Sequence, residues 1–224
     1  MSEAAKSMTK QEVRALIEKV GIVPVIRAAS AEEARFAADC VRKGGVPIVE
    51  ITMTVPGAVE VIREVARTMP EVLVGAGTVL SAEAATKCID AGAQFLVTPG
   101  FNAATVAATR ARDVLIVAGA LTPSEIMEAS AAGADFVKVF PCGSMGGPKY
   151  LQALRGPFPS VAFVPTGGVN LETAGEYIRA GAAALGVGGE MVLKDALRAR
   201  DGDAISKMAA LFVDLVRDAR GAKG

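Results

Sequence analysis

The sequence of 224 residues predicts an α/β fold, a (β/α)8 TIM barrel with an extra N-terminal helix and a C-terminal closing helix. Three observations predict it: a repeated junction of helix, glycine and strand, strands that are continuous apolar runs, and helical segments between all of these strands. Parallel strands that are buried on both faces have this apolar character. Eight strand-helix units in so short a chain favour a closed barrel over an open sheet.

The repeated junction occurs four times, at intervals of about two strand-helix units. A glycine just past the end of a helix is the common C-terminal cap, and here an apolar strand follows each one. The junctions read RKGGVPIVEIT from residue 42, IDAGAQFLVTP from 89, SAAGADFVKVF from 130 and IRAGAAALGVG from 178. Four further apolar strands lie between them: GIVPVIRA (21–28), LVGAGTV (73–79), VLIVAGAL (114–121) and AFVPTGG (162–168).

Helical segments separate the strands, and several begin at a Ser, Thr or Asn that is suited to cap a helix. They read SAEEARFAADCVRK, GAVEVIREVART, SAEAATKCID, NAATVAATRA, TPSEIMEASAA, PKYLQALRG and NLETAGEYIRA. The extra helix is TKQEVRALIEKV, and DAISKMAALFVDLVRDA closes the chain. No linker divides the chain, so residues 1–224 are predicted to form a single domain. The alternative, an open doubly wound sheet, lacks the G-x-G-x-x-G fingerprint after its first strand.

Composition excludes several classes of function. Lys plus Arg equals Asp plus Glu at 24 each, and there are two Tyr and no Trp, so a nucleic-acid partner is not expected. The absence of histidine removes His-based triads and the usual zinc sites, and we expect neither a metal nor a cofactor. Without an apolar membrane span or a signal-peptide core in residues 1–13, the protein is expected in the cytoplasm, with three reduced cysteines.

The stretch ADFVKVFPC (134–142) places Lys138 inside an apolar strand, and Glu50 has a similar place in VPIVEIT. Each charge is costly to bury alone, so the two are expected to meet. A desolvated lysine has a lowered pKa and becomes a nucleophile toward carbonyl groups. The iminium that it forms is an electron sink, and Glu50 is the candidate to move the proton. A structural salt bridge is the alternative interpretation.

Other polar residues follow the strands toward the end where barrel enzymes bind their substrates. They are Arg27, Thr52, Thr78, Thr98 and Thr166. Two glycine turns, VPTGGVN (164–170) and GVGGEM (186–191), follow the seventh and eighth strands. Their backbone amides can approach an anion, and loops at this place are the usual phosphate site of such barrels. Tight turns without a ligand are the alternative.

Five motifs resemble the 2-keto-3-deoxy-6-phosphogluconate (KDPG) and 4-hydroxy-2-oxoglutarate (KHG) aldolases of class I, which form a Schiff base. The motifs are VEITM, GAGTV, FVKVFP, GPFP and VPTGGV, in the family's order. The resemblance implies a lyase of carbohydrate metabolism in the Entner–Doudoroff pathway. It would split KDPG into pyruvate and glyceraldehyde 3-phosphate, and KHG into pyruvate and glyoxylate. It also implies a homotrimer whose partner is a small, phosphorylated 2-keto acid.

The resemblance implies a role for each candidate residue. Lys138 would form the Schiff base and Glu50 would be the general acid and base. The remaining residues would bind the substrate: Thr78 at the pyruvate carboxylate, Thr166 at the hydroxyl chain, Pro99 and Phe140 at the pocket wall, and Gly167, Gly168, Gly188 and Gly189 at the phosphate.

Two departures from the family's pattern bear on the substrate. Many members read E-x-T-L-R-T, with an Arg for the carboxylate, whereas Thr54 stands at that place here. Arg27 is the best replacement cation. Many members also have a Ser in the eighth-strand turn, where this chain has Gly189 followed by Glu190. A carboxylate that points inward there would repel phosphate, which leaves room for an unphosphorylated or shorter substrate.

Three alternatives stay open at this point. A 6-phospho-2-dehydro-3-deoxygalactonate aldolase would use the same residues on an epimeric substrate. A phosphosugar isomerase or epimerase on the same barrel would also use the glycine turns, and Lys138 would then act only through its charge. The non-enzymatic interpretation is a scaffold for assembly that is retained for its interfaces.

Overall fold

The computed structural model describes residues 8–221, and these residues form a barrel of eight parallel strands. The strands are β1 (Ile22–Ile26), β2 (Ile48–Thr52), β3 (Leu73–Gly77), β4 (Phe95–Val97), β5 (Leu115–Ala120), β6 (Phe136–Val139), β7 (Phe163–Pro165) and β8 (Leu185–Val187). Their order in the sheet is β7-β6-β5-β4-β3-β2-β1-β8, and a parallel bridge from Thr166 to Gly186 joins the two edges. The predicted fold class is therefore confirmed, whereas the assignment of all of 1–224 to one domain stays a prediction.

Helices alternate with the strands, as predicted. They are α1 (Lys10–Val20), α2 (Ala31–Lys43), α3 (Ala58–Thr68), α4 (Ala82–Asp90), α5 (Ala103–Ala111), α6 (Pro123–Ala131), α7 (Pro148–Arg155), α8 (Ala174–Arg179), α9 (Lys194–Arg198) and α10 (Gly202–Gly221). A short 3-10 turn, Gly143–Met145, precedes α7. Among these described helices, none has the length and apolar character needed to cross a membrane.

The sequence pattern missed α9 and understated α10. Helix α9 has five residues and no side-chain cap, so it lacks the signals that mark the other helices. Helix α10 packs between α2 and α8, where Ser206 donates a hydrogen bond of 2.9 Å to the Cys40 carbonyl of α2. Helices α2 to α8 follow β1 to β7, so α10 is the eighth long helix of the barrel wall.

Side-chain caps explain where several helices begin. The side chains of Ser30, Ser81 and Asn102 each accept a hydrogen bond from a backbone amide in the first turn of their helix. Thr9 and Thr122 form full capping boxes with the glutamate three residues later. Because such a cap satisfies amides that the helix leaves unpaired, each cap ends one strand-helix loop at a defined residue.

The barrel interior is filled by side chains below the carboxyl ends of the strands. Phe95 and Phe136 are fully buried there, and Gly75 is required beside Phe95 because a methyl group would overlap the ring. This lower part of the interior is therefore packed with side chains.

Candidate active site

Lys138 and Glu50 lie inside the barrel, as predicted, and each is only 2% exposed. Glu50 is paired in register with Gly75, and Lys138 with Gly119. A methyl group at Gly77, two residues beyond Gly75, would overlap the Glu50 carboxylate. The small residues of β3 and β5 therefore make the space in which the two charged side chains fit.

The two groups do not form a direct pair. Glu50 Oε1 is buried and accepts no hydrogen bond from the described part of the chain. The groups act on each other through their charges: the attraction of Lys138 opposes a rise in the Glu50 pKa, and Glu50 opposes a fall in the Lys138 pKa. The space between them is therefore not closed by a salt bridge, and a substrate atom can enter it.

Burial shifts both groups toward their neutral forms. Loss of water is the largest influence on each of them, and it raises the pKa of Glu50 and lowers the pKa of Lys138. The positive charge of Arg27 also lowers the pKa of Lys138, and it works against the rise at Glu50. The site thus favours an uncharged amine, which is the form that attacks a carbonyl group.

A cavity of about 200 Å³ opens at the carboxyl ends of β1, β6, β7 and β8. It brings together seven of the predicted substrate-binding residues: Arg27, Phe140, Thr166, Gly167, Gly168, Gly188 and Gly189. The Phe140 ring also reaches the buried lysine, because Lys138 Nζ lies 5.2 Å from its centroid. Phe140 is therefore the residue that links the buried amine to the open cavity.

The glycine turn after β7 is held in a conformation that favours glycine. Gly167 and Gly168 have φ values of +82° and +78°, which other residues rarely adopt. A methyl group at Gly168 would also lie 2.8 Å from the Gly143 Cα. The backbone amides of both glycines donate no hydrogen bond within residues 8–221, so they are available to an acceptor in the cavity.

The glycines of the turn after β8 have free space around them, whereas those of the turn after β7 are closely packed. A methyl group at Gly189 would meet nothing within 4 Å, and one at Gly188 would come no nearer than 3.9 Å to the Val25 carbonyl. The amides of Gly188, Gly189 and Glu190 also donate no hydrogen bond among the described residues. Two neighbouring turns with unpaired backbone amides therefore line one cavity.

The remaining predicted residues lie at the same end of the barrel but do not line this cavity. Thr54 is exposed and its hydroxyl lies 2.8 Å from the Thr52 hydroxyl, which in turn donates to the Ile26 carbonyl at 3.0 Å. Thr78 has a φ of +57°, a left-handed conformation that is uncommon for a residue other than glycine. The Pro99 backbone lies against Gly119, the register partner of Lys138, and fills the space that a side chain at Gly119 would need.

Thr98 and Thr166 differ in what their hydroxyl groups do. Thr98 Oγ1 accepts a hydrogen bond of 2.9 Å from the Gly119 amide, so it joins β4 to β5. Thr166 Oγ1 donates a long hydrogen bond of 3.3 Å to the Val164 carbonyl two residues away, accepts none from the described residues, and lines the cavity. Thr166 therefore remains available to a ligand, whereas Thr98 holds the barrel wall in place.

The structure adds three residues to the cavity wall, Val25, Val169 and Gly186, and it also places Glu190 there. Val25 lies two residues before Arg27, so the alternation of side chains along a strand is a signal for it. Gly186 is needed because a methyl group there would overlap the Thr166 side chain. No group of three His, Cys, Asp or Glu side chains that fits a metal ion occurs within residues 8–221.

This fold and site define a class of protein: a (β/α)8 barrel with a buried, desolvated lysine and carboxyl group, next to a cavity lined by unpaired backbone amides. The profile of one family, the KDPG and KHG aldolases, matches residues 13–208. The chain therefore belongs to the KDPG and KHG aldolase family. Membership of this family favours an aldolase over the other two functions considered above, which are a phosphosugar isomerase or epimerase and a scaffold for assembly.

Individual relatives agree with this assignment. The chain is 37% identical over 206 residues to a KHG/KDPG aldolase of Escherichia coli K12, which covers 92% of this chain and 96% of that protein. It is similar to the crystal structure of a KDPG aldolase from Legionella pneumophila with pyruvate captured as a covalent carbinolamine. That similarity has a TM-score of 0.83 at 30% identity, over 88% of this chain and 96% of the other.

A second similar structure is a cube-shaped, porous protein cage that was designed by fusing symmetric oligomeric domains. It has a TM-score of 0.83 at 29% identity and covers 92% of this chain and 75% of the cage chain.

Proposed function

We propose that this protein is a class I aldolase that cleaves KDPG to pyruvate and glyceraldehyde 3-phosphate, and KHG to pyruvate and glyoxylate. The observation that carries the proposal is Lys138, a lysine that is 2% exposed and whose burial lowers its pKa inside the barrel. The relatives named above have these activities in their names, and one of them holds pyruvate as a covalent carbinolamine.

The chemistry begins at the amine of Lys138. Its nitrogen lone pair attacks the C2 carbonyl of the 2-keto acid and forms a carbinolamine, which loses water to give an iminium. Glu50 then accepts the proton of the C4 hydroxyl group as the C3–C4 bond breaks. The electron pair of that bond moves into the iminium to form an enamine, and the aldehyde leaves.

The second half of the reaction releases pyruvate. Glu50, now protonated, returns a proton to C3 of the enamine and restores the iminium. Water adds to the iminium carbon, and Lys138 leaves as the free amine. The raised pKa of the Glu50 carboxyl group suits it to both proton transfers, because a catalytic group works best when its pKa approaches the working pH.

The pyruvate half of the substrate would lie near Lys138. We assign its carboxylate to Arg27 and to the hydroxyl groups of Thr54 and Thr78, at the ends of three neighbouring strands. Arg27 has neither a hydrogen bond nor a salt bridge to any residue in the range 8–221, so its guanidinium group is available to an anion. Phe140 and Pro99 would shape the wall of the pocket around the pyruvate methyl group.

The aldehyde half would extend into the 200 Å³ cavity toward the glycine turns. Thr166 would contact its hydroxyl chain, and the amides of Gly167, Gly168, Gly188 and Gly189 would contact its far end. We expect Thr166→Ala to change the ratio of kcat/KM values for the gluconate and galactonate epimers of the substrate. An unchanged ratio would contradict this role. It would mean that Thr166 does not discriminate between the gluconate and galactonate substrates.

Borohydride trapping tests the proposal directly. The protein is incubated with pyruvate and sodium borohydride, and the peptides are then analysed by mass spectrometry. We expect a reduced pyruvyl adduct on Lys138 that is absent in Lys138→Ala. Lys149→Ala, which removes an exposed lysine just beyond the site, should retain the adduct. Absence of any adduct in the natural protein would overturn the aldolase mechanism.

We also propose a homotrimer located in the cytoplasm. The designed cage supports symmetric association, because a chain with this fold served there as part of an oligomeric assembly. Light scattering coupled to size-exclusion chromatography should give three times the chain mass of 22.9 kDa. A much larger particle would support the assembly role instead.

A further inference from the structure

Glu190 is the one acidic residue that lines the 200 Å³ cavity in the described part of the chain. It directly follows the turn Gly188–Gly189, and the next residues hold this turn in place. Met191 and Val192, both buried, donate hydrogen bonds of 3.0 and 3.1 Å to the Gly188 carbonyl. The position of the Glu190 backbone at the rim is therefore set by packing, although the side chain itself is exposed.

The negative charge of Glu190 is not neutralised by a neighbour. Its carboxylate has no hydrogen bond and no salt bridge within residues 8–221. Arg27 lines the same cavity, yet the two side chains do not form an ion pair. A second anion at the turn would therefore face an uncompensated charge, although the unpaired amides of the same turn attract it.

We propose that Glu190 determines substrate preference in this site by disfavouring a doubly charged phosphate at the far end of the substrate. The inference rests on the proposed function. The amides of the two turns can donate to any oxygen that accepts a hydrogen bond, whether or not it is charged. Glu190 adds a penalty that grows with the charge of that oxygen group, so the preference shifts toward substrates that are short or uncharged at this end.

The two proposed substrates differ at this point. KHG ends in a carboxyl group at C5, next to the carbon where cleavage occurs. KDPG extends three bonds beyond C5 to its phosphorus and would bring a dianion to the glycine turns. Glu190 therefore acts on KDPG and has little effect on KHG, which makes KHG the internal reference for the experiment.

The experiment measures kcat/KM for both substrates in the natural protein, in Glu190→Gln and in Glu172→Gln. The first variant removes the charge from the cavity with little change in shape. The second removes an equal charge from an exposed residue of the neighbouring loop that does not line the cavity. We expect Glu190→Gln to raise kcat/KM for KDPG by about tenfold, the effect of one charge on a nearby dianion in partly hydrated surroundings. Its kcat/KM for KHG, and both values in Glu172→Gln, should stay within about twofold.

Ionic strength supplies a second measurement. The Debye length falls from about 30 Å at 0.01 M salt to about 3 Å at 1 M, so the advantage of Glu190→Gln should shrink as salt is added. A KDPG value that is unchanged or lower in Glu190→Gln would overturn the inference, as would an equal gain for both substrates. Borohydride trapping on Lys138 separates this failure from that of the proposed function, because the adduct with pyruvate does not involve Glu190.

Discussion

At the amino end of the barrel, two cations of α1 have partners near the start of β6. Helix α1 lies across this end and packs against both β1 and β5. Lys10 forms a salt bridge of 3.0 Å with Asp135, and the same carboxylate accepts a hydrogen bond of 2.9 Å from the Ile116 amide. Arg14 donates to the Asp135 carbonyl at 3.2 Å and lies 5.0 Å from the centroid of the Phe136 ring.

At the carboxyl end, the charged groups of the candidate site are left apart. Arg27 and Glu190 have no salt bridge in the described structure, and Glu50 Oε1 is buried without a hydrogen-bond donor. Buried polar groups are normally satisfied, and unpaired groups cost stability. The difference teaches that one end of the barrel stabilises the fold, whereas the other holds groups whose partners are expected to be atoms of a substrate.

The largest expected effect is that of Lys138→Met, which should sharpen the contrast between activity and stability. Without the amine no Schiff base forms, so kcat/KM should fall by at least about 10⁴-fold. Stability should nevertheless rise by roughly 1 kcal/mol at pH 7, or about 2–4 °C in Tm, because the variant removes a charge that is costly to bury. Cleavage assays and calorimetry check the two parts.

The pH dependence of that stability gain tests its cause. The folded pKa of Lys138 lies below its ordinary value of 10.5, so the natural protein is penalised wherever the unfolded lysine is protonated. The penalty vanishes above the unfolded pKa and grows as the pH falls through the interval between the two values. The Tm difference should therefore shrink as the pH rises from 7 toward 10. A constant difference would show that packing, and not charge, causes the gain.

Glu50→Gln should have the next largest effect, a fall in kcat of about 10²–10⁴-fold, which is the usual contribution of a general acid and base. Because burial raises the Glu50 pKa above its ordinary value of 4.5, the acidic limb of the natural pH profile should lie above that value. Activity is lost as the pH falls through this pKa, since the carboxylate must accept a proton from C4.

The control for this prediction is the covalent step. Glu50→Gln should still give the reduced pyruvyl adduct on Lys138 with borohydride, because proton transfer at C4 is not part of adduct formation with pyruvate. Retention of full cleavage activity in Glu50→Gln would remove Glu50 from the mechanism.

Gly77→Ala should have an intermediate effect on the carboxyl end. The added methyl group overlaps the Glu50 carboxylate, which must move from its place. Misplacement of a catalytic group by about 1 Å can cost about 10²-fold in rate, and we expect a fall of this size in kcat. Gly100→Ala is the matched control, because a methyl group there meets nothing within 4 Å. Equal activities in the two variants would contradict the placement of Glu50.

Asp135→Asn should have the smallest effect on catalysis and tests the amino end. The substitution weakens the salt bridge to Lys10 while it keeps an oxygen that accepts from the Ile116 amide. We expect a loss of roughly 1 kcal/mol in the free energy of unfolding, with kcat/KM unchanged within about twofold. A large loss of activity in a folded Asp135→Asn protein would break the division between the two ends.

The sequence by itself determined the fold class and pointed to the two residues that are proposed to react. Glycine after four of the helices and apolar runs between helices predict eight parallel strands, because both signals are local in the chain. A lysine within an apolar strand is also visible locally, since its cost of burial does not depend on which residue lies opposite. Lys138 and Glu50 could therefore be singled out before their positions in space were known.

Tertiary structure alone decided how the site residues combine. It separated Thr98, whose hydroxyl holds β4 to β5, from Thr166, whose hydroxyl faces the cavity. It also placed Gly77 under the Glu50 carboxylate and left Glu190 without a salt bridge among the described residues. These facts depend on which strands become neighbours when the barrel closes, and no pattern within a single segment of the chain contains that information.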